Sequence, residues 1–245
     1  MLDKASFVSY LQKAFGENGM GKLLSFERVN TFTLLTERLL AENEKYNLTA
    51  IRDPEKIALL HYADCASIAA YIPQGAKVID IGCGAGFPSL PLAIVRPDLH
   101  ITAVDSTEKR VRYVEETARL LGLTNITARV MRAEDGGKDP ALREQFDIVT
   151  ARAVADLRIL AELCLPFVRV GGEMIAMKGK NASYEVQASK KAFAVLGGKL
   201  ISLDETPLRS ASLGEQSRGV VRILKDKKTP STYPRVYAQI SKKPL

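Results

Sequence analysis

Hydrophobic residues follow two different periods along the chain, and the period changes near residue 73. In the first part, large apolar residues recur at steps of three and four: Phe26, Val29, Phe32, Leu35 and Leu39. That spacing gives a long helix one apolar face. Another helix is predicted to begin at Asp53-Pro54, where an N-cap residue precedes a proline in the first helical position. Residues 1–72 are therefore predicted to form an N-terminal helical region.

From residue 73 onward, short apolar segments alternate with longer amphipathic ones. Strands are predicted at 76–82, 100–105, 125–130, 146–151, 171–179, 198–205 and 219–225. Helices are predicted at 89–95, 108–121, 156–168 and 185–196. Strand–helix–strand order predicts parallel βαβ units in a doubly wound α/β sheet. No clear helix separates the last two strands, which predicts an antiparallel pair at that edge of a domain spanning 73–225.

A glycine-rich turn follows the first predicted strand. The strand runs into Gly82, Gly84 and Gly86, which alternate with Cys83 and Ala85, and a helix is predicted directly afterwards. Glycines let the backbone turn sharply and approach a ligand closely, so these three are candidate cofactor-binding residues. The spacing is GxGxG, and Phe87 stands where the dinucleotide-binding pattern GxGxxG has its third glycine.

Acidic residues around this turn favour S-adenosylmethionine over a dinucleotide. Asp80 lies two residues before the first glycine, where a carboxylate would repel a pyrophosphate but attract an ammonium and a sulfonium. Asp105 ends the second strand, in position to accept hydrogen bonds from ribose hydroxyls. Ala133 and Glu134 follow the third strand, in a loop expected to face adenine. With a seven-stranded, mostly parallel sheet, these features predict a class I Rossmann-like methyltransferase fold by analogy.

Positive charge is concentrated at the C-terminal end. Seven of the 35 basic residues but only one of the 28 acidic residues lie between Arg222 and Leu245, so that segment carries +6 of the net charge of +7. A basic tail at 226–245 suggests a polyanionic partner, either nucleic acid or an acidic membrane. A solvated, partly disordered tail that aids solubility explains the same charge equally well.

Composition excludes several other classes of protein. No stretch of roughly 18 apolar residues is present, and the N-terminus lacks a signal-peptide pattern, so a cytoplasmic protein without a membrane segment is expected. Cys65, Cys83 and Cys164 form no CxxC pair, and the chain has only two histidines. Neither a disulfide framework nor a metal site is expected.

The loop after the fourth strand and the positions of the cysteines limit which methyl acceptors are possible. The loop after the fourth strand, 150–154, lacks the Asn/Asp-Pro-Pro-aromatic sequence used for exocyclic amines. The cysteines lie in the cofactor turn and in predicted helices, where they are expected to be buried hydrophobic residues rather than nucleophiles. A ring nitrogen such as guanine N7 needs no deprotonation, so orientation alone suffices, and this case fits best.

Motifs spread over nearly the whole chain resemble the bacterial small-subunit ribosomal RNA guanine-N7 methyltransferases, also described as glucose-inhibited division protein B. The matching segments are Tyr46-Asn47-Leu48-Thr49, Arg52-Asp53-Pro54, His61 with Asp64, 80–91, 94–97, Asp105-Ser106, Lys109-Arg110-Val111, Arg152-Ala153, Lys178-Gly179, 229–235 and 242–245. The family commonly has arginine where this chain has Leu60, and often serine where it has Cys65.

The resemblance implies roles for individual residues. It places cofactor contacts on Gly82, Phe87, Ala133, Glu134 and Arg152, and it draws Ser106 into the same set beside Asp105. His61, Asp64 and Arg152 become candidates for the catalytic pocket. For His61 and Asp64 a paired surface histidine on a helix face remains the alternative, and no general acid or base is identified.

The implied activity is transfer of a methyl group from S-adenosylmethionine to guanine N7 in a decoding-region loop of 16S ribosomal RNA. The partner would be that RNA or a precursor of the small ribosomal subunit, and a monomer is expected. Five basic residues are candidates for RNA phosphate contacts, although each could equally be a solvated charge: Lys109, Arg110, Lys178, Lys180 and Arg218.

Three other functions remain alternatives. A methyltransferase for a small molecule or protein would share the cofactor turn, and the basic tail argues weakly against it. A non-catalytic RNA-binding module would not need Asp80, the glycine turn and Asp105 together. An NAD-dependent oxidoreductase is disfavoured by the glycine spacing and by Asp80.

Overall fold

The N-terminal helical region begins with two long helices. A computed structural model describes residues 2–245 of the chain. In it, α1 is Lys4–Glu17 and α2 is Phe26–Tyr46. Ser25 caps α2 by accepting a hydrogen bond from the backbone N–H of Arg28. The predicted apolar face of α2 is buried except at Phe26, which is 84% exposed because it is the first helical residue and points back beyond the packed turns.

Residues 47–53 interrupt the helical region that the pattern predicts as continuous. Asn47 ends α2 in the left-handed conformation, with φ of 48°. Helical structure resumes behind Asp53, whose side chain accepts from the backbone N–H of Lys56, and it continues to residue 71. This run changes its winding along its length: α3 is Pro54–Ile57, a π-helical turn covers Ala58–Ala63, α4 is Asp64–Ala66, and a 3₁₀ turn covers Ser67–Tyr71.

A seven-stranded sheet forms the centre of the molecule. Its strands are β1 Lys77–Ile81, β2 His100–Asp105, β3 Ile126–Val130, β4 Phe146–Arg152, β5 Val168–Lys178, β6 Gly198–Asp204 and β7 Gly219–Lys225. The order is β3-β2-β1-β4-β5-β7-β6, and only β7 runs antiparallel to its neighbours. The predicted mixed sheet with a reversed edge is confirmed.

Helices cover both faces of the sheet. After α4 they are α5 Ser89–Val95, α6 Glu108–Leu120, α7 Ala133–Gly136, α8 Leu157–Cys164, α9 Ala182–Leu196 and α10 Tyr237–Lys242. The sequence pattern predicts neither α7 nor α10, and α8 ends four residues before the predicted boundary at 168, where a 3₁₀ turn at Leu165–Phe167 leads into β5. In residues 2–245, no helix combines the length and the hydropathy that crossing a membrane requires.

Alternating residues of the strands feed two hydrophobic cores. Val78 of β1 joins a core shared with α1, α2 and the helical run at 54–71, whereas its neighbour Ile79 joins a core shared with α8 and α9. This alternation follows from the period of two along a strand. The N-terminal helices therefore lie over one face of the sheet and bring their side chains to its edge.

The C-terminal segment 226–245 lies against the domain instead of extending away from it. Lys225 is fully buried, and its Nζ donates to the Leu165 carbonyl at 2.5 Å and to Thr229 Oγ1 at 2.6 Å. Farther along, Arg235 donates through Nε and Nη2 to both oxygens of Glu162, whose side chain is fully buried. A bidentate ion pair of this kind fixes the segment on α8.

Candidate cofactor and catalytic site

The glycine turn between β1 and α5 requires glycine at both ends. Gly82 has φ of +73° and Gly86 has φ of +85°, in the region that side chains disfavour. A Cβ on Gly82 would come within 2.7 Å of a Val154 methyl group, and one on Gly86 within 2.5 Å of a Leu90 methyl group. The turn therefore keeps its backbone exposed to the space above β1, as the sequence predicts.

A cavity of about 650 Å³ opens above this turn at the carboxyl ends of β1 to β4. It is lined by Leu48, Thr49, His61, Ile81, Gly82, Cys83, Gly84, Ala85, Phe87, Val104, Asp105, Ser106, Arg110, Met131, Arg132, Ala133, Glu134, Arg152, Ala153, Val154, Leu163 and Tyr237. This is the edge of an open α/β sheet where ligands bind, and the volume lies within the usual range for a cofactor or drug-sized ligand.

Asp105 forms one wall of the cavity. Its Oδ2 accepts from the Gly84 N–H at 3.1 Å and its Oδ1 from the Thr107 N–H at 2.9 Å, which fixes the carboxylate while leaving lone pairs for a ligand. Arg110 lies 3.4 Å from the same Oδ2. A buried, oriented carboxylate beside a flexible glycine turn fits the paired hydroxyls of a ribose, so this part of the site suits S-adenosylmethionine.

Asp80 is not among the residues that line the cavity. Its side chain is buried beneath the turn, where the hydroxyls of Ser89 and Thr150 donate to its two oxygens. Burial raises its pKa to about 6. The strand period explains the placement, because Asp80 shares the face of β1 that is covered by α5, which carries Ser89. The structure thus places Asp80 in the support of the turn, and its attraction for the charged groups of the cofactor stays a prediction.

The cavity is also lined by residues after β3, where the sequence predicts an adenine contact, and by two residues that the sequence analysis missed. Ala133 and Glu134 line the cavity from the short helix α7, as the position of the third strand predicts. Leu163 of α8 and Tyr237 of α10 line it as well. Tyr237 belongs to the C-terminal segment, and nothing in its local sequence indicates that the Arg235 ion pair would bring it to a cavity whose other lining residues lie between 48 and 163.

Arg152 joins the sheet to the helical run at 54–71. Its Nη1 lies 3.0 Å from Cys65 Sγ, and its Nη2 donates to the Leu60 carbonyl at 2.7 Å and to His61 Nδ1 at 3.0 Å. Its Nε lies 3.6 Å from the Asp64 carboxylate. The structure therefore brings together all three candidates for the catalytic pocket. Position 60 contributes a backbone carbonyl, so leucine serves there as well as arginine.

The hydrogen bonds of His61 define its protonation. Arg152 can only donate, so Nδ1 must be the acceptor, and Nε2–H then donates to Thr49 Oγ1 at 2.9 Å. The imidazole is 6% exposed and stacks on the Phe87 ring with centroids 4.3 Å apart. Burial, assisted by the Arg152 charge, lowers its pKa to about 3. His61 is thus a buried neutral ring with both nitrogens engaged, which excludes the surface position considered above.

Asp64 connects the pocket to the antiparallel edge of the sheet. It lies 3.6 Å from Arg152 on one side and 3.6 Å from Arg218 on the other. Burial raises the pKa of its carboxyl, and the two guanidinium groups act in the opposite direction. Arg218 is only 13% exposed and also donates to Ser67 Oγ and to the Thr206 carbonyl. Its contacts favour a role inside the protein over a phosphate contact.

The other candidate phosphate contacts differ in their surroundings. Lys178 is 9% exposed and is bound to Glu185 and to the Ala155 carbonyl, so it resembles Arg218 in being engaged internally. Arg110 is half exposed beside Asp105. Lys109 and Lys180 are exposed, and within residues 2–245 the side chain of neither forms a hydrogen bond or ion pair.

Comparisons with known proteins agree on one family. The family model described as GidB, rRNA small subunit methyltransferase G, matches residues 28–211. A protein from Acetivibrio thermocellus named Ribosomal RNA small subunit methyltransferase G is 44% identical over 231 residues, which cover 94% of each chain. A protein of the same name from Clostridium perfringens is 41% identical over 230 residues, covering 93% of this chain and 95% of the relative.

Solved structures of low identity share the fold. A SAM-dependent O-methyltransferase from Thermotoga maritima superposes with a TM-score of 0.55 at 19% identity, over 78% of this chain and 72% of that one. A SAM-dependent methyltransferase from Aquifex aeolicus gives a TM-score of 0.54 at 18% identity, over 73% of this chain and 97% of that one. These likenesses confirm the predicted Rossmann-like class of fold.

Proposed function

Because the chain belongs to the rRNA small subunit methyltransferase G family and is a methyltransferase that uses S-adenosylmethionine, we propose that it methylates N7 of a guanine in a decoding-region loop of 16S ribosomal RNA. The partner is that RNA or a precursor of the small ribosomal subunit, and the enzyme acts as a monomer in the cytoplasm. S-adenosylmethionine supplies an electrophilic methyl group on a sulfonium.

One observation about the pocket supports N7 in particular. The acceptor side of the cavity carries His61, whose nitrogens are both engaged, and Arg152, which can only donate. The acids that line the cavity, Asp105 and Glu134, belong to its ribose and adenine ends. An amine or hydroxyl acceptor would need a base to remove its proton, but N7 presents a lone pair that needs none. Alignment of the two reactants is then the principal contribution of the protein, and it can amount to ~7–11 kcal/mol.

The geometry of the cavity supports the following cofactor-binding set. Gly82, Gly84 and Gly86 form the turn under the methionine part, and Asp105 with Ser106 faces the ribose. Ala133 and Glu134 lie against the adenine. Phe87, stacked on His61 and 5.8 Å from the Arg152 guanidinium carbon, forms the wall near the methyl group. Asp80 acts from below by holding α5 and β4 in place through Ser89 and Thr150.

The reaction product gives the direct test. The protein is incubated with labelled S-adenosylmethionine and 16S ribosomal RNA, either free or within small subunits, and the RNA is digested to nucleosides. Labelled 7-methylguanosine is the expected product. Label in another nucleoside, or in none, would refute the proposal, and label in protein would favour the alternative class of acceptor.

The phosphate contacts are tested through salt dependence. Lys109→Ala and Lys180→Ala should each lower RNA affinity and reduce the slope of log Kd against log salt by about 0.7 to 0.9. In the C-terminal segment, Lys242 and Lys243 are exposed and can be replaced by glutamine without disturbing the buried Arg235 ion pair. A flatter slope for that double variant would assign the tail to RNA, and an unchanged slope would assign it to solubility. Arg169→Ala, on the opposite end of β5, is the control.

A further inference from the structure

A second cleft adjoins the cofactor cavity at the carboxyl ends of β4 and β5. It has a volume of about 470 Å³ and shares Ala153 and Val154 with the larger cavity. Val154 also lies directly against the glycine turn, because its methyl group is what a Cβ on Gly82 would meet. Whatever occupies the second cleft therefore lies beside the end of the cofactor site that is nearest the glycine turn.

One wall of this cleft is an aromatic side chain that packs against little else. Tyr184, in the first turn of α9, is 77% exposed although it is a large ring. Exposed aromatic rings are the surfaces on which single-stranded RNA bases stack, because every base has a π face. Lys180 is exposed four residues before it, where a phosphate that accompanies a stacked base would be attracted.

Two carboxylates of the cleft present hydrogen-bond acceptors. Glu185 receives hydrogen bonds from the Leu157 N–H and from Lys178, both at Oε2, and Asp156 receives those of Arg158 at Oδ1. Among the described residues nothing donates to Glu185 Oε1 or to Asp156 Oδ2. Guanine carries adjacent N–H donors at N1 and N2, whereas adenine presents an acceptor at its N1. Free carboxylate oxygens thus favour guanine over adenine.

We propose that the cleft between Val154 and Tyr184 holds the acceptor guanine, splayed out of the RNA, with its ring stacked on Tyr184 and its donor edge facing Glu185 and Asp156. N7 lies on the opposite edge of the purine and faces the cofactor cavity past Val154, so the two carboxylates hold the base and take no proton in the reaction. This inference rests on the proposed function and names the substrate site within it. Splaying is required because the grooves of an A-form helix hide the base edges.

The test compares steady-state methylation of 16S ribosomal RNA by the wild type, Tyr184→Ala and Tyr184→Phe. Tyr184→Ala should lower kcat/KM for RNA roughly fivefold or more, since stacking on an aromatic ring contributes at least that factor per base. Tyr184→Phe keeps the ring and should stay within about twofold of the wild type by the same reasoning. The affinity for S-adenosylmethionine should be unchanged in both.

Two further measurements separate stacking from other effects. Tyr184→Ala should leave the salt slope of RNA binding unchanged, because the ring carries no charge, in contrast to Lys180→Ala. Phe26→Ala removes an equally exposed ring from the start of α2, far along the chain from the cleft, and should change neither kcat/KM nor affinity.

The outcomes distinguish this inference from the function on which it rests. If the wild type forms 7-methylguanosine and Tyr184→Ala does so at the same kcat/KM, the stacking site is refuted and the function stands. If Tyr184→Phe falls as far as Tyr184→Ala, stacking is likewise refuted. If the wild type forms no 7-methylguanosine, both are refuted together.

Discussion

Acidification tests how the pocket holds His61. The ring lies between Arg152, which donates to Nδ1 at 3.0 Å, and Thr49, which accepts from Nε2 at 2.9 Å. A proton added at Nδ1 would face the guanidinium group, with no acceptor available. Burial and this neighbouring charge lower the pKa to about 3 from an ordinary value of 6.5. We therefore expect His61 to remain neutral in the folded protein throughout the range in which it becomes charged in the unfolded chain.

The magnitude follows from linkage between protonation and folding. Between pH 6.5 and pH 3 the unfolded chain binds a proton at His61 that the folded protein does not, so stability falls as the pH falls. The slope reaches about 1.4 kcal/mol per pH unit once the unfolded histidine is mostly charged. Relative to pH 8, this residue alone should lower the free energy of unfolding by about 1.4 kcal/mol at pH 5.5 and by about 2.7 kcal/mol at pH 4.5.

Urea unfolding of the wild type and of His61→Gln at pH 8, 6.5, 5.5 and 4.5 isolates this contribution. All other ionisable groups are common to both proteins, so the stability of the wild type minus that of the variant should decrease by those amounts. Long-range ¹H–¹⁵N NMR of the folded protein provides a second measurement, and His100→Gln assigns the only other imidazole. A His61 ring that titrates near 6.5 in the folded protein, or a stability difference that is constant with pH, would refute the hydrogen-bond assignment.

Other predictions concern the cofactor turn, the C-terminal wall and the thiols. Gly86→Ala should abolish measurable S-adenosylmethionine binding, since the turn must shift, whereas Gly75→Ala, which has a similar φ of +68° but open space around it, should keep it. Tyr237→Ala should weaken binding of 5′-methylthioadenosine about five- to tenfold by removing an aromatic contact, and Val236→Ala should not. The cysteines are buried, and burial raises the pKa of Cys65 to about 12, so a thiol reagent should modify none in the folded protein and all three in urea. Two results would contradict these expectations. One is a wild-type affinity of Gly86→Ala or Tyr237→Ala measured by calorimetry, and the other is rapid modification of a cysteine in the folded protein.

The strands and the glycine turn could be predicted because their signals are local. β2 and β7 have the predicted bounds, His100–Asp105 and Gly219–Lys225, since each is a short apolar segment with turn residues on both sides. Asp105 lies at the end of its strand, and that position alone takes it to the edge of the sheet where ligands bind. Such positions follow from the order of elements and need no knowledge of side-chain contacts.

Features that depend on distant contacts could not be predicted. The direction of Asp80 depends on Ser89 and Thr150, which lie 9 and 70 residues away. The internal engagement of Arg218 depends on Asp64, and only the fold brings the two together. Charge counting also grouped Arg235 with the solvated basic residues of the tail, although its buried carboxylate partner, Glu162, lies within a helical run that looks simply amphipathic.

The same contacts explain how the protein can accelerate a reaction without a proton acceptor. Arg152 donates to Cys65, to the Leu60 carbonyl and to His61, so the guanidinium, His61 and Phe87 are held together beside the glycine turn. The stack is anchored at the opposite end by Asp64 and Arg218, which tie it to the β6–β7 edge. Misplacement of reacting atoms by about 1 Å can cost a hundredfold in rate. Residues remote from the methyl group therefore affect the rate by fixing the positions of the groups that line the pocket. Because Arg152, Asp64 and Arg218 are paired with one another, this part of the pocket is suited to align a neutral nucleophile.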